Sequence, residues 1–203
     1  MTLLGNLIKQ GIRIRESLDQ DFTPAFELQK TEFRKLIIAD RNTQFGKAHN
    51  FSGILQSLKK HDNKSFYEDY KNQVPVHDYD KMFKNWWHKC LEGEKDVTWH
   101  GAIKYFALSS GTSGSSSKHI PVSLEMVKAI QKTSVRQILS LSRYEGLPSS
   151  VFEGGTLMVG GSTDLQDNGN YAEGDLSGIT TSRIPFWFQR FYKPGKAISR
   201  KKD

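Results

Sequence analysis

Residues 109–118 read Ser-Ser-Gly-Thr-Ser-Gly-Ser-Ser-Ser-Lys, nine small residues in a row closed by one cation. Such a run has almost no side chain to bury, so its neighbours decide what it can become. Before it stands Ile103-Lys104-Tyr105-Phe106-Ala107-Leu108, and after it Ile120-Pro121-Val122, both rich in β-formers. Flexible Gly/Ser linkers have polar flanks; this run does not. The order it imposes is strand, loop, short strand, then a helix starting near Ser123. Pro121 stops a helix from running straight out of the loop. Backbone N–H groups that a ligand can approach closely, Ser and Thr hydroxyls and one Lys ammonium together suit phosphate oxygens. The loop G-x-x-x-x-G-K-[ST] is excluded, because three serines separate Gly114 from Lys118. No G-x-G-x-x-G follows a strand, so a Rossmann fingerprint is absent as well.

The run resembles the phosphate-binding motif of the adenylate-forming superfamily, [ST]-S-G-[ST]-[ST]-G-x-P-K, with one extra residue before Lys118 and no proline. Both departures fit the auxin-responsive acyl-acid amido synthetases, whose loop reads S-S-G-T-S-G-x-x-x-K with a proline three residues later. Thr43-Gln44-Phe45-Gly46-Lys47-Ala48-His49-Asn50-Phe51 is similar to that family's T-x-F-G-K-x-H-x-F segment. Val74-Pro75-Val76-His77-Asp78-Tyr79-Asp80, Leu91-Glu92-Gly93-Glu94 and Gly160-Gly161-Ser162-Thr163 follow its bacterial members in order. The resemblance covers nearly the whole chain.

It implies an α/β fold: a partial N-terminal domain of an adenylate-forming enzyme, with a mixed sheet flanked by helices. It implies an ATP- and Mg²⁺-dependent ligase that joins a carboxylic acid to AMP, then passes the acyl group to an amine, typically an amino acid. Ser109, Ser110, Gly111, Thr112, Ser113, Gly114 and Lys118 are the residues it assigns to the ATP phosphates; no catalytic side chain and no metal ligand is assigned. The family's later adenine-binding Y-G-x-[ST]-E segment, ribose-gripping aspartate and mobile C-terminal cap have no counterpart here. The expectation is therefore an N-terminal fragment, inactive alone. A non-catalytic nucleotide- or anion-binding module and an interaction domain without a ligand are the alternatives.

Composition narrows the field. Hydrophobic residues make up 36% and aromatics 11% of 203 residues, which suits a folded core rather than disorder. Cys90 is the lone cysteine, so no intramolecular disulfide can form, and a reducing, cytoplasmic compartment is expected. No apolar run approaches the ~18 residues of a membrane span, and the N-terminus does not read as a signal peptide. The net charge is +7, yet from Arg183 onward seven Lys/Arg stand against Asp203 alone. A basic end is not a basic face, and neither nucleic acid nor membrane is an expected partner.

We read one incomplete domain over 1–203: helical through 1–95, β-loop-β over 103–122, a helix over 123–146 and a strand-and-turn region over 151–192. Thr23-Pro24 reads as a cap before Phe26, Phe33, Leu36 and Ile37 at helical spacing. Asn63 or Ser65 caps a short helix. Asp78 caps another, in which Met82/Trp86/Cys90 and Phe83/Trp87/Leu91 form two rows that Gly93 ends. The helix from Ser123 to about Arg143 should turn Val127, Ile130, Ile138 and Leu141 inward. Thr156 to Val159 reads as a buried strand and Asn168-Gly169 as a hairpin signal. Residues 184–192 are apolar enough to pack, whereas Lys196 to Asp203 should be mobile.

Rival chemistries fail on spacing. Tyr171-Ala172-Glu173-Gly174-Asp175 lacks the arginine of the superfamily's ribose-binding Y-R-x-G-D and lies only about sixty residues past the loop, so it reads as structure. His77, Asp78, Asp80, His88 and Cys90 do not make a four-ligand zinc pattern. No G-x-S-x-G elbow and no partnered serine is present.

Overall fold

The computed structural model describes residues 3–18, 24–57, 63–109, 117–186 and 188–201. In chain order the elements are α1 (Leu3–Leu18), α2 (Ala25–Asp40), α3 (Gln44–Ala48), α4 (Phe51–Ser57), α5 (Asn63–Gln73), α6 (Tyr79–Met82), a π-helical turn (Phe83–Trp87), α7 (His88–Leu91), β1 (Tyr105–Ser109), β2 (Lys118–Val122), α8 (Leu124–Ser140), β3 (Thr156–Leu157), β4 (Gln166–Asp167), β5 (Ala172–Gly174), α9 (Leu176–Ser182), β6 (Tyr192–Lys193) and α10 (Lys196–Ser199). Two compact units result. One gathers Met1–Phe22, Tyr105–Asn168 and Ala172–Asp203; the other gathers Thr23–Lys104 with Gly169–Tyr171.

The second unit is helical. Ile37, Phe51 and Ile54 form its buried centre, with Phe33, Phe45, Tyr67 and Tyr70 packed around them. The Thr43–Phe51 segment folds as it does for local reasons. Thr43 accepts a hydrogen bond from the Gly46 amide (2.9 Å) and donates one to the Asp40 carbonyl (2.7 Å), capping α3. Phe45 then meets the rings of Phe51 and Trp86. Gly46 is required by space, since a Cβ there would lie 2.1 Å from the Asp40 carbonyl oxygen.

Some helix details differ from expectation. Pro24, not Thr23, occupies the cap position of α2, and Thr23 lies outside the described residues. Ile37 is buried and Phe33 packs on the core, but Phe26 and Leu36 are exposed. Asp78 caps α6 through the Lys81 amide, and Gly93 turns at φ 86°, both as read. Between them the π turn inserts one extra residue, so the two i, i+4 rows are broken. The His88 imidazole instead reaches the Phe83 carbonyl five residues back, at 3.0 Å.

The first unit carries the sheet, ordered β2-β1-β5-β4 among the described residues. β1 pairs antiparallel with β2 and parallel with β5, which pairs antiparallel with β4, so the sheet is mixed. One face of it, with Ala107 and Val122, buries Val127 of α8 and Ile179 of α9. Pro121, which has no N–H to give a ladder, is tolerated because β2 is an edge strand. The Asn168-Gly169 signal does mark a hairpin, with residues 168–171 between β4 and β5. Gly161 and Gly178 let the Gly160-Gly161-Ser162-Thr163 segment lie against α9: a Cβ on Gly178 would stand 2.1 Å from the Ser162 carbonyl oxygen.

Three expectations in this unit fail. Thr156 to Val159 is not a buried strand: only Thr156–Leu157 pair, with the two-residue β6, and Val159 is 94% exposed. A two-residue parallel pair leaves nothing to cover the residues that follow it. In α8 only Val127 is buried, whereas Ile130, Ile138 and, in the turn that follows, Leu141 are partly exposed. The chain's end is tied down through residue 200 rather than free. Thr163 donates both its amide (2.8 Å) and its hydroxyl (3.1 Å) to the Ser199 carbonyl, and the Ser162 hydroxyl reaches the Arg200 carbonyl. Of the 184–192 stretch, Tyr192 is buried but Phe186 is 83% exposed, and Trp187 lies outside the described residues.

Gly46→Ala should therefore cost about 2–4 kcal/mol, as backbone must move to admit the methyl. Gly11→Ala, on an exposed face of α1 with nothing within 4 Å, should instead gain about 0.5–1 kcal/mol. Thermal denaturation of the two variants should move in opposite directions.

Candidate functional site

The ladder of β1 and β2 runs from Tyr105↔Val122 to Ser109↔Lys118, so the two stems of the small-residue loop face each other across the sheet edge. Ser109 is half-buried and Lys118 exposed. Ser110, Gly111, Thr112, Ser113 and Gly114 lie outside the described residues. The structure thus brings together Ser109 and Lys118, the first and last of the predicted phosphate contacts, as paired ends of one hairpin.

Alternation along the strands sorts the stem residues by face. Ser109, Ala107 and Tyr105 share the side that carries Lys118, Ile120 and Val122. His119, Leu108 and Phe106 share the other. The helix after the loop does not receive it directly, because the five residues of β2 intervene. Ser123 then caps α8, accepting from the Met126 amide at 3.1 Å. The Gly174-Asp175-Leu176-Ser177 segment forms the β5–α9 junction, with the Ser177 hydroxyl accepting from the Gly161 amide at 2.8 Å.

Two features escaped the sequence reading. His119 Nε2 lies 3.0 Å from Glu173 Oε2, joining β2 to β5 beneath the loop. Alternation gives each residue its face, but only the parallel pairing of β5 with β1 makes them neighbours. The second is a cleft of about 760 Å³ in the same unit. Ile130, Ile138 and Leu139 of α8 form one wall, Met158, Ile184 and Phe188 stand elsewhere around it, and Lys132 and Arg136 contribute cations. Ile130 and Ile138 are two of the residues expected in a core.

Three of the groups considered for metal, His77, Asp78 and His88, have other partners. His77 Nδ1 meets the Pro75 carbonyl at 2.7 Å, and Asp78 is a helix cap. Among the described residues no group of three or more His, Cys, Asp or Glu could hold a metal ion. No described helix is long and apolar enough to cross a membrane.

The family model of the GH3 family N-terminal domain matches residues 14–199. The chain belongs to the GH3 family. This is the family of adenylate-forming acyl-acid amido synthetases that the loop and the Thr43–Phe51 motif resemble, and its match takes in both units. No curated protein matches the chain.

Cys90 plays no part in the GH3 loop. It is buried in the helical unit, and burial pushes its thiol up, the neighbouring Glu94 charge adding to the rise while hydrogen bonds with Thr98 oppose it. A proton held more tightly in the folded state makes Cys90's contribution full below the free thiol's pKa, and it declines as pH rises past that value. At mildly alkaline pH a disulfide reagent should label the native protein at least about a hundredfold more slowly than the denatured chain, because only an exposed thiolate reacts. Equal rates would show the thiol to be accessible.

Proposed function

We propose that this GH3 chain supplies the ATP phosphate-binding part of a carboxylate-adenylating amido synthetase. The observation that carries the reading is the β1–loop–β2 hairpin, held at its stems by the Ser109↔Lys118 pair, in a chain of this family. The amides and hydroxyls of Ser109, Ser110, Gly111, Thr112, Ser113 and Gly114 would donate to the β- and γ-phosphate oxygens, and the Lys118 ammonium would add a point charge. Spreading that charge over fixed donors favours in-line attack of a carboxylate on the α-phosphorus, with pyrophosphate leaving. An amine then attacks the acyl-adenylate carbonyl, AMP leaves, and an amide is formed.

Mg²⁺ would arrive on the nucleotide, where it offsets phosphate charge. For the acid we favour the cleft along α8. Its volume falls in the range of small-molecule pockets, and its apolar walls beside Lys132 and Arg136 suit an apolar body carrying a carboxylate. With phosphate contacts but no adenine or ribose motif, the 203 residues should hold MgATP at roughly millimolar Kd, worth about 4 kcal/mol, and should not turn over.

Two binding measurements test this. Thr112→Pro with Ser113→Pro removes two amides and two hydroxyls from the loop and should abolish MgATP binding in calorimetry while leaving the melting temperature unchanged; normal binding would refute the loop assignment. Ile138→Trp should weaken decanoate about tenfold or more by filling the cleft and leave MgATP unaffected. Unchanged decanoate binding would place the acid elsewhere.

A further inference from the structure

We infer that His119 and Glu173 form a clamp that positions the phosphate loop, a role that rests on the loop reading above. β2 is an edge strand, and of the strands in its sheet only β1 pairs with it. Pro121, opposite Phe106, contributes no N–H to that ladder. One stem of the loop therefore hangs on a single five-residue ladder, and a ligand pulling on Lys118 would pull on this strand.

The clamp supplies a second attachment. Glu173 stands opposite Phe106 on the far side of β1, and His119 stands opposite Leu108, the residue before Ser109. Their 3.0 Å contact passes over β1 and joins the edge strand, one residue after Lys118, to β5 opposite Phe106. The ring of His119 also meets the buried Phe106 ring edge-on, which limits its swing. Glu173 is only 9% exposed. A buried charged or charge-assisted pair gains little stability over apolar residues of the same size. What it adds is direction: a hydrogen bond fixes the spacing and register of two strands where apolar contact tolerates slip. Placed at the foot of the loop, that direction fixes where Ser109 and Lys118 present their groups.

MgATP and inorganic tripolyphosphate binding to the 203-residue chain, read by calorimetry, test the clamp beside amide exchange in β1 and β2. Glu173→Ala and His119→Ala should each weaken both ligands about tenfold, and the double variant should be no weaker than either single one, since each breaks the same link. Glu173→Gln, which still offers an oxygen to His119, should stay within about twofold of the parent. Ile54→Val, in the core of the other unit, supplies a destabilised control whose binding should be unchanged. Additive losses, or losses shared by Ile54→Val, would reduce the pair to a structural contact and overturn the proposal. If the parent chain binds neither ligand, the loop reading fails by itself. The clamp is then judged by exchange: faster exchange of the Lys118 to Ile120 amides in Glu173→Ala than in Ile54→Val supports it, and equal exchange refutes it.

Discussion

The pairing of β1 with its neighbours is the contact on which the sheet-bearing unit depends. Phe106 and Ala107 are buried on opposite faces of this strand, so β1 anchors both sides of the sheet at once. Its parallel partner β5 feeds α9, its antiparallel partner β2 feeds α8, and Val127 and Ile179 close over Ala107 and Val122. Each buried aliphatic side chain there is worth about 1.5–3 kcal/mol. The ladder sets the position of Ser109 and Lys118, and a run of glycine and serine carries little side chain to keep a ligand from backbone amides.

The same logic explains the segments that mark the family. Thr43, Gly46 and His49 each have a structural role. Thr43 closes a helix cap, Gly46 makes room for the Asp40 carbonyl, and His49 hands its Nδ1 to the Gln73 carbonyl at 2.9 Å. The Gly161 and Gly178 pair likewise allows backbone to lie against backbone beside α9. A motif can be shared because a fold requires it, and Thr43, Gly46, Gly161 and Gly178 are such cases.

What could be read from residues alone follows from how local the cause was. The strand–loop–strand–helix order was legible because Pro121, Ser123 and the flanking β-formers act within a few positions. The cap at Asp78 and the turn at Gly93 were legible for the same reason, whereas Thr43 entered only through family likeness and its cap emerged in the structure. The π turn was not, because the sequence Phe83-Lys84-Asn85-Trp86-Trp87 carries no proline or glycine to announce it. Thr156 to Val159 looked like a core strand because of its apolar content; among the described residues its ladder partner, β6, is two residues long. The His119–Glu173 contact and the cleft depend on which strands and helices become neighbours, which is a property of the topology and not of any local pattern.

The central claim is that the loop between β1 and β2 is where this chain meets ATP. Its most direct test is to titrate MgATP into the isotopically labelled 203-residue protein and follow backbone amide shifts. The account predicts that the largest saturable changes fall on residues 109–118, that inorganic tripolyphosphate reproduces them, and that adenosine does not. Saturable changes centred elsewhere, with the loop amides unmoved, would contradict it.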